Sequence, residues 1–274
     1  MPASDPHPAD DPDAPADPGI LDRFAPFYDL EYGTYDADLD FYRGCAAQAA
    51  PRRSPAAQVL ELACGSGRVL LALAAAGHVC TGVDASPAML ALARARLAAA
   101  DLPATLVAAR MEALPPDLGP FDLVLCALNS FAYLPTQADQ LATLVDVQAR
   151  LRRGGLLVLD LSPVDAGGPY PAGGELVHQG AWDRPGGGRV LKFVSGVWDS
   201  ADQQHHVHWI YDEEDPAGRV RRTTIPQTLR YTYRWEAQLL LERAGLRLAG
   251  IYGTYDLDPY SSDSPRLILV AQRP

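Results

Sequence analysis

From Gln58 onward, two kinds of segment alternate along the chain. Short apolar runs cover Gln58–Leu62, His78–Val83, Thr105–Ala109, Phe121–Cys126 and Leu156–Leu161. Each reads as a strand buried on both faces. Between them, Arg68–Ala76, Ser86 to about Ala100, and Thr136–Leu151 have helical composition. Ser86-Pro87 reads as a helix start, because serine caps free N–H groups and proline lacks an N–H that would find no partner there. Gly154-Gly155 reads as a helix stop. Strands alternating with helices predict parallel pairing with both sheet faces covered. The expected fold is α/β: a doubly wound, mainly parallel seven-stranded sheet of Rossmann-like type. Ligands in such sheets sit beyond the carboxyl ends of the strands.

The pattern changes on either side of this core. Ile20–Cys45 is dense in aromatics and predicts one or two short helices joined by Gly33. After Ala166 the helices stop. Arg189–Trp198, His205–Tyr211 and Arg219–Tyr231 read as strands that pair antiparallel, an insertion after the fifth strand of the sheet. A helix near Trp235–Ala244 and strands near Leu246–Tyr252 and Arg266–Ala271 finish the sheet. The expected organisation is an acidic tail over 1–20, a ligand-binding domain over 21–165 and 232–274, and an antiparallel β insertion over 166–231 covering the acceptor site.

Composition narrows the function. The chain has 274 residues, 48 % of them hydrophobic, and a formal net charge of -11. A polyanion is bound through Lys and Arg, so nucleic acid and acidic membrane surfaces are not expected partners. No apolar run reaches the length of a membrane span, and no signal peptide is visible. Residues 1–20 hold six Pro and five Asp without Lys or Arg, which predicts disorder. Cys45, Cys64, Cys80 and Cys126 show no C-x-x-C spacing, so a reduced, cytoplasmic chain is expected. A monomer or homodimer is expected. Lys192 is the one lysine.

The sharpest local signal is Val59-Leu-Glu-Leu-Ala-Cys-Gly-Ser-Gly67, a strand running into a glycine turn that opens a helix. Gly65 and Gly67 let backbone approach a ligand, and the helix beyond presents free N–H groups. Asp84 ends the next strand, where a carboxylate can accept hydrogen bonds from vicinal ribose hydroxyls. A dinucleotide and S-adenosylmethionine both fit that pairing. The dinucleotide fingerprint carries a third glycine, whose place is taken here by Leu70.

Four ordered blocks resemble the class I S-adenosylmethionine-dependent methyltransferases. They are Glu61-Leu-Ala-Cys-Gly-Ser-Gly67, Asp84-Ala-Ser-Pro-Ala-Met-Leu90, Phe121-Asp-Leu-Val-Leu-Cys126 and Leu151-Arg-Arg-Gly-Gly-Leu-Leu157. The resemblance implies that Glu61, Ala63, Gly65 and Gly67 line the methionine moiety and ribose of S-adenosyl-L-methionine. It implies that Asp84 holds the ribose hydroxyls, that Ala85 and Met89 pack on the adenine, that Met111 covers its other side, and that Leu128 lies near the cofactor. Arg110 stands where the family usually has an acid for the adenine amino group. Glu112 then accepts instead, or the base is held by backbone and shape.

Methyl transfer from a sulfonium is an in-line displacement, so the protein chiefly aligns the nucleophile and excludes water. Asn129 and Tyr133 follow the fourth strand and are acceptor-side candidates. Phe27-Tyr28-Asp29 and Tyr32 resemble the aromatic N-terminal lid of small-molecule members. His206 is a candidate base; in a strand it shares a face with His208, while His205 lies on the other. Zinc ligation by these histidines lacks further ligands, and no metal is expected. The function expected is methyl transfer to N or O of a small-molecule acceptor. An NAD(P)-dependent oxidoreductase and a non-catalytic ligand-binding protein on the same scaffold are the alternatives.

Overall fold

The computed structural model describes residues 18–52, 54–163, 173–184 and 186–274. The disorder expected for the tail falls mostly on residues outside these. Helix α1 spans Pro18–Tyr32, so the last three residues of that expected tail are helical. Helix α2 (Leu39–Ala49) follows. The core then runs β1 (Gln58–Leu62), α3 (Arg68–Ala75), β2 (Val79–Asp84), α4 (Pro87–Ala99), β3 (Thr105–Ala108), β4 (Phe121–Cys126), α5 (Gln137–Arg150) and β5 (Leu151–Leu161).

Four strands, β6 (Val177–Asp183), β7 (Arg189–Asp199), β8 (Gln204–Glu214) and β9 (Val220–Arg230), form a separate antiparallel sheet. Helix α6 (Arg234–Arg243), β10 (Arg247–Tyr252) and β11 (Leu267–Gln272) return to the main sheet.

The seven-stranded sheet has the order β10-β11-β5-β4-β1-β2-β3. Its pairs are parallel except around β11, which runs antiparallel to β5 and β10. The doubly wound α/β expectation is borne out. The strand order reverses between β1 and β4, the place where such sheets open a crevice.

Period-two alternation sends side chains to two faces. Leu60, Leu62, Val124 and Leu157 meet α5 and α6 through Leu144, Val147, Leu240 and Leu241. Val59, Leu123, Leu125 and Val158 meet α2 and α3 through Tyr42, Leu70 and Leu73. A third core joins α1 to the antiparallel sheet through Phe24, Phe27, Val194, Val207, Trp209, Tyr211, Ile225 and Leu229.

Two expectations need correction. Gly154-Gly155 does not stop α5. The helix ends at Arg150, and both glycines lie inside β5, where the pairing slips from Phe121–Leu151 to Leu123–Leu156. Gly154 has φ +81°, and a Cβ on Gly155 would come within 2.9 Å of the Arg152 carbonyl oxygen. The insertion also holds a strand, β6, that the pattern did not predict. Its Val177–Asp183 side chains are mostly exposed on a sheet edge, so no apolar alternation marks it.

Candidate active site

The glycine turn and Asp84 are assembled by backbone hydrogen bonds. One Asp84 carboxylate oxygen accepts from the Gly65 N–H and the other from the Ser86 N–H, both at 2.8 Å. Burial raises the Asp84 pKa, and these two N–H donors oppose the rise. Each oxygen keeps a lone pair for a ligand hydroxyl. Gly65 has φ +53°, and a Cβ there would meet the Tyr28 ring at 3.3 Å. Gly67 has φ +77°, and a Cβ would lie 2.9 Å from the Ala93 Cβ of α4. Gly67 thus serves helix packing and does not line the cavity beside Gly65.

A cavity of about 340 Å³ opens beyond these strand ends. Of the expected residues it collects Tyr28, Tyr32, Ala63, Gly65, Asp84, Ala85, Met89, Met111, Glu112, Leu128, Asn129 and Tyr133. Arg110 is there as well, paired through Nε with the Glu112 carboxylate. Leu128 and Asn129 have φ +48° and +64°, a left-handed pair of non-glycine residues. Such backbone persists only where its surroundings fix it. Here the Leu128 N–H donates to the Asp160 carboxylate at 3.1 Å and the Asn129 N–H to the Asp160 carbonyl at 2.8 Å. The Asn129 side-chain oxygen accepts from the Ser162 N–H at 2.9 Å.

Glu61 lies beneath the turn on β1, only 3 % exposed and outside the cavity wall. Its Oε2 is buried without a hydrogen-bond partner. Burial raises its pKa well above the usual carboxylate value, with Arg68 acting in the opposite direction. An orphaned carboxylate oxygen below the glycine turn fits the ammonium of a methionine moiety. With the Asp84 oxygens and the space over Gly65, the residues present fit an adenosyl sulfonium.

His206 does not reach the cavity. Its Nδ1 lies 3.1 Å from the Thr228 hydroxyl of β9, on the sheet face opposite Val207 and Trp209. The strand alternation placed His205 on the other face; there it is fully buried and packs edge-on to Trp198 at 5.8 Å.

The far wall of the cavity contains residues that sequence reasoning missed. Lys192, Trp209, Gln227 and Leu229 come from the antiparallel sheet, Phe24 from α1, and Arg266 from the approach to β11. Lys192 is 4 % exposed; its ammonium lies 2.5 Å from a Glu31 carboxylate oxygen and 5.4 Å from the centre of the Trp209 ring. The other Glu31 oxygen accepts from the Tyr211 hydroxyl, and burial beside this carboxylate pushes the Tyr211 pKa far up. Arg266 is paired with Asp160, which also accepts from Tyr42 at 2.8 Å and Tyr255 at 2.9 Å. The lone lysine and an acid inside the apolar run Leu156–Leu161 were the available signals.

Helix α1 is tied to α4 and the glycine turn on one side and to the antiparallel sheet on the other. Asp22 accepts from Ser86 Oγ at 2.5 Å and from the Ala88 N–H at 3.1 Å. Asp29 accepts from Ser66 Oγ at 2.6 Å and pairs with Arg96 at 2.9 Å. Glu31 and Phe27 hold the other side, with the Phe27 ring stacked on Tyr211 at 4.1 Å. Among the described residues, no cluster of three or more His, Cys, Asp or Glu is arranged to hold a metal. No helix among them is long and apolar enough to cross a membrane.

Comparisons with known proteins follow the same line. A family model described as a methyltransferase domain matches residues 59–155. The cypemycin N-terminal methyltransferase of a Streptomyces species is 29 % identical over 216 residues, covering 78 % of this chain and 82 % of that protein. The structure of the CcbJ methyltransferase from Streptomyces caelestis superposes with a TM-score of 0.78 at 25 % identity, covering 93 % of this chain and 97 % of that one. The S-adenosylmethionine-bound structure of CalS10, an amino pentose methyltransferase from Micromonospora echinaspora, gives a TM-score of 0.67 at 24 % identity, covering 90 % and 97 %.

Proposed function

The chain belongs to the class I S-adenosylmethionine-dependent methyltransferases, and from that premise we propose that it methylates the nitrogen of an amine on a small molecule or a peptide. The family membership makes it an enzyme and disfavours the dehydrogenase and non-catalytic alternatives. The observation that carries the amine reading is the aromatic enclosure beyond Gly65. Phe24, Tyr28, Tyr32, Tyr133 and Trp209 all line the cavity.

When bound, the sulfonium supplies an electrophilic methyl carbon, which an amine lone pair takes as the carbon–sulfur bond breaks. The positive charge then resides on the product ammonium, which sheds its proton later. Aromatic faces attract that ammonium as it forms. An amine that arrives as an ammonium gives up a proton to water before it attacks, whereas an alcohol hydroxyl needs a far stronger base, and no histidine is among the described residues of the cavity wall.

In this reading Asp84 takes the ribose hydroxyls, Glu61 faces the methionine ammonium, and Met89, Ala85 and Met111 sandwich the base. The aromatic walls exclude water and align the acceptor. The name of the cypemycin N-terminal methyltransferase supports transfer to an amine. The test is incubation with S-adenosylmethionine and a mixed pool of amines, phenols and carboxylic acids, read by mass spectrometry. N-methylated products are expected. Products methylated only on oxygen would overturn the reading.

A further inference from the structure

We infer that Gln227 sets acceptor specificity by reading a neutral oxygen, a hydroxyl or a carbonyl, carried next to the amine; this rests on the amine-directed reading above. Antiparallel register places Lys192 opposite Tyr211, Trp209 opposite Ile225 and Val207 opposite Gln227. The inward positions of β7, β8 and β9 therefore give the cavity one wall, in which Lys192 and Gln227 are the polar members beside Trp209 and Leu229.

These two polar groups differ in one respect. Lys192 is paired with Glu31. Gln227 is 8 % exposed, and its amide nitrogen is buried without a hydrogen-bond partner. A methionine would fill that space without leaving a donor unsatisfied, so an amide kept there is kept for something that binds. An amide donates and accepts, which matches a hydroxyl or a carbonyl. A carboxylate is a poor match, because each cation on the cavity wall already has its anion. Lys192 has Glu31, Arg110 has Glu112 and Arg266 has Asp160.

The test uses three matched amines on the full chain loaded with S-adenosylhomocysteine: cyclohexylamine, trans-2-aminocyclohexanol and trans-2-aminocyclohexanecarboxylate. Calorimetry should show the amino alcohol bound about fivefold tighter than cyclohexylamine, the worth of one neutral hydrogen bond. The amino acid should bind no better than cyclohexylamine. In Gln227→Met the preference for the amino alcohol should vanish, and the melting temperature of the ligand-free chain should rise by about 2 °C.

A preference that survives Gln227→Met overturns the inference. So does a lowered melting temperature, which would mean the amide is structural, and so does the absence of binding by all three amines to the loaded wild-type chain. Fragmentation of the methylated amino alcohol keeps the two readings apart. A methyl group on its oxygen would sink the amine reading, while the binding ratios would still judge Gln227.

Discussion

The two halves of the cavity are built on different plans. On the strand-end side, backbone does most of the work. Two N–H groups fix Asp84, a positive-φ glycine opens the space, and a left-handed pair after β4 is pinned to Asp160. On the antiparallel-sheet side, long side chains from α1, β7, β8 and β9 meet one another: Glu31, Lys192, Tyr211, Trp209 and Gln227. Backbone-built geometry tolerates few sequences and leaves short motifs. Side-chain walls can be redrawn one residue at a time, which is why the proposed reading puts the cofactor in the first half and the acceptor in the second.

Lys192→Ala strikes the second half hardest. It strands a buried Glu31 carboxylate and should cost about 3 kcal/mol of stability in denaturant titration. The affinity of the surviving folded chain for S-adenosylhomocysteine should stay within about twofold, since the change lies on the far wall. A collapse of that affinity would show that the halves are not separable. Asp84→Ala is the reverse experiment. It should weaken S-adenosylhomocysteine by roughly 1.5–3 kcal/mol in calorimetry, through lost charge-assisted hydrogen bonds.

A smaller effect follows from Glu61, whose pKa burial raises. An acid with a raised folded pKa stabilises the free chain fully below the unfolded value of about 4.3, and that contribution fades as pH rises through the folded value. Over the same rise the carboxylate becomes able to pair with the cofactor ammonium. S-adenosylhomocysteine binding should therefore tighten with pH, and Glu61→Gln should flatten the profile. A slope unchanged in Glu61→Gln would detach Glu61 from the cofactor. The least effect is expected from His206→Ala, whose ring lies across the sheet from the cavity. Stability should move by less than about 0.5 kcal/mol, and methyl-transfer rates should not change. A large rate loss would mean that the outer face of the sheet takes part.

The same division explains what the sequence disclosed. The strands β1, β2, β4 and most of β5 were legible because they are apolar, short and bounded by glycine or proline. The glycine turn and Asp84 were legible because their spacing along the chain is their geometry. Gly67 carried the motif but spends it on α4, since a motif records which residue is needed and not against what. Gly154-Gly155 reads locally as a helix stop, and only the slipped pairing with β4 and the backbone hydrogen bonds to Arg273 make it part of a bulged strand. Gln227, Trp209 and Lys192 lie on separate strands whose register no local pattern supplies. His206 and Trp209 illustrate the same point, because alternation separated their faces without saying which face looks inward.

Helix α1 is fastened to the α4 start and the glycine turn by Asp22 and Asp29, and to the antiparallel sheet by Glu31. Swinging it aside would uncover the nucleoside end and the acceptor end together. One helix therefore walls both ends of the cavity, so anything that loosens its three carboxylate ties exposes both reactants to water at once.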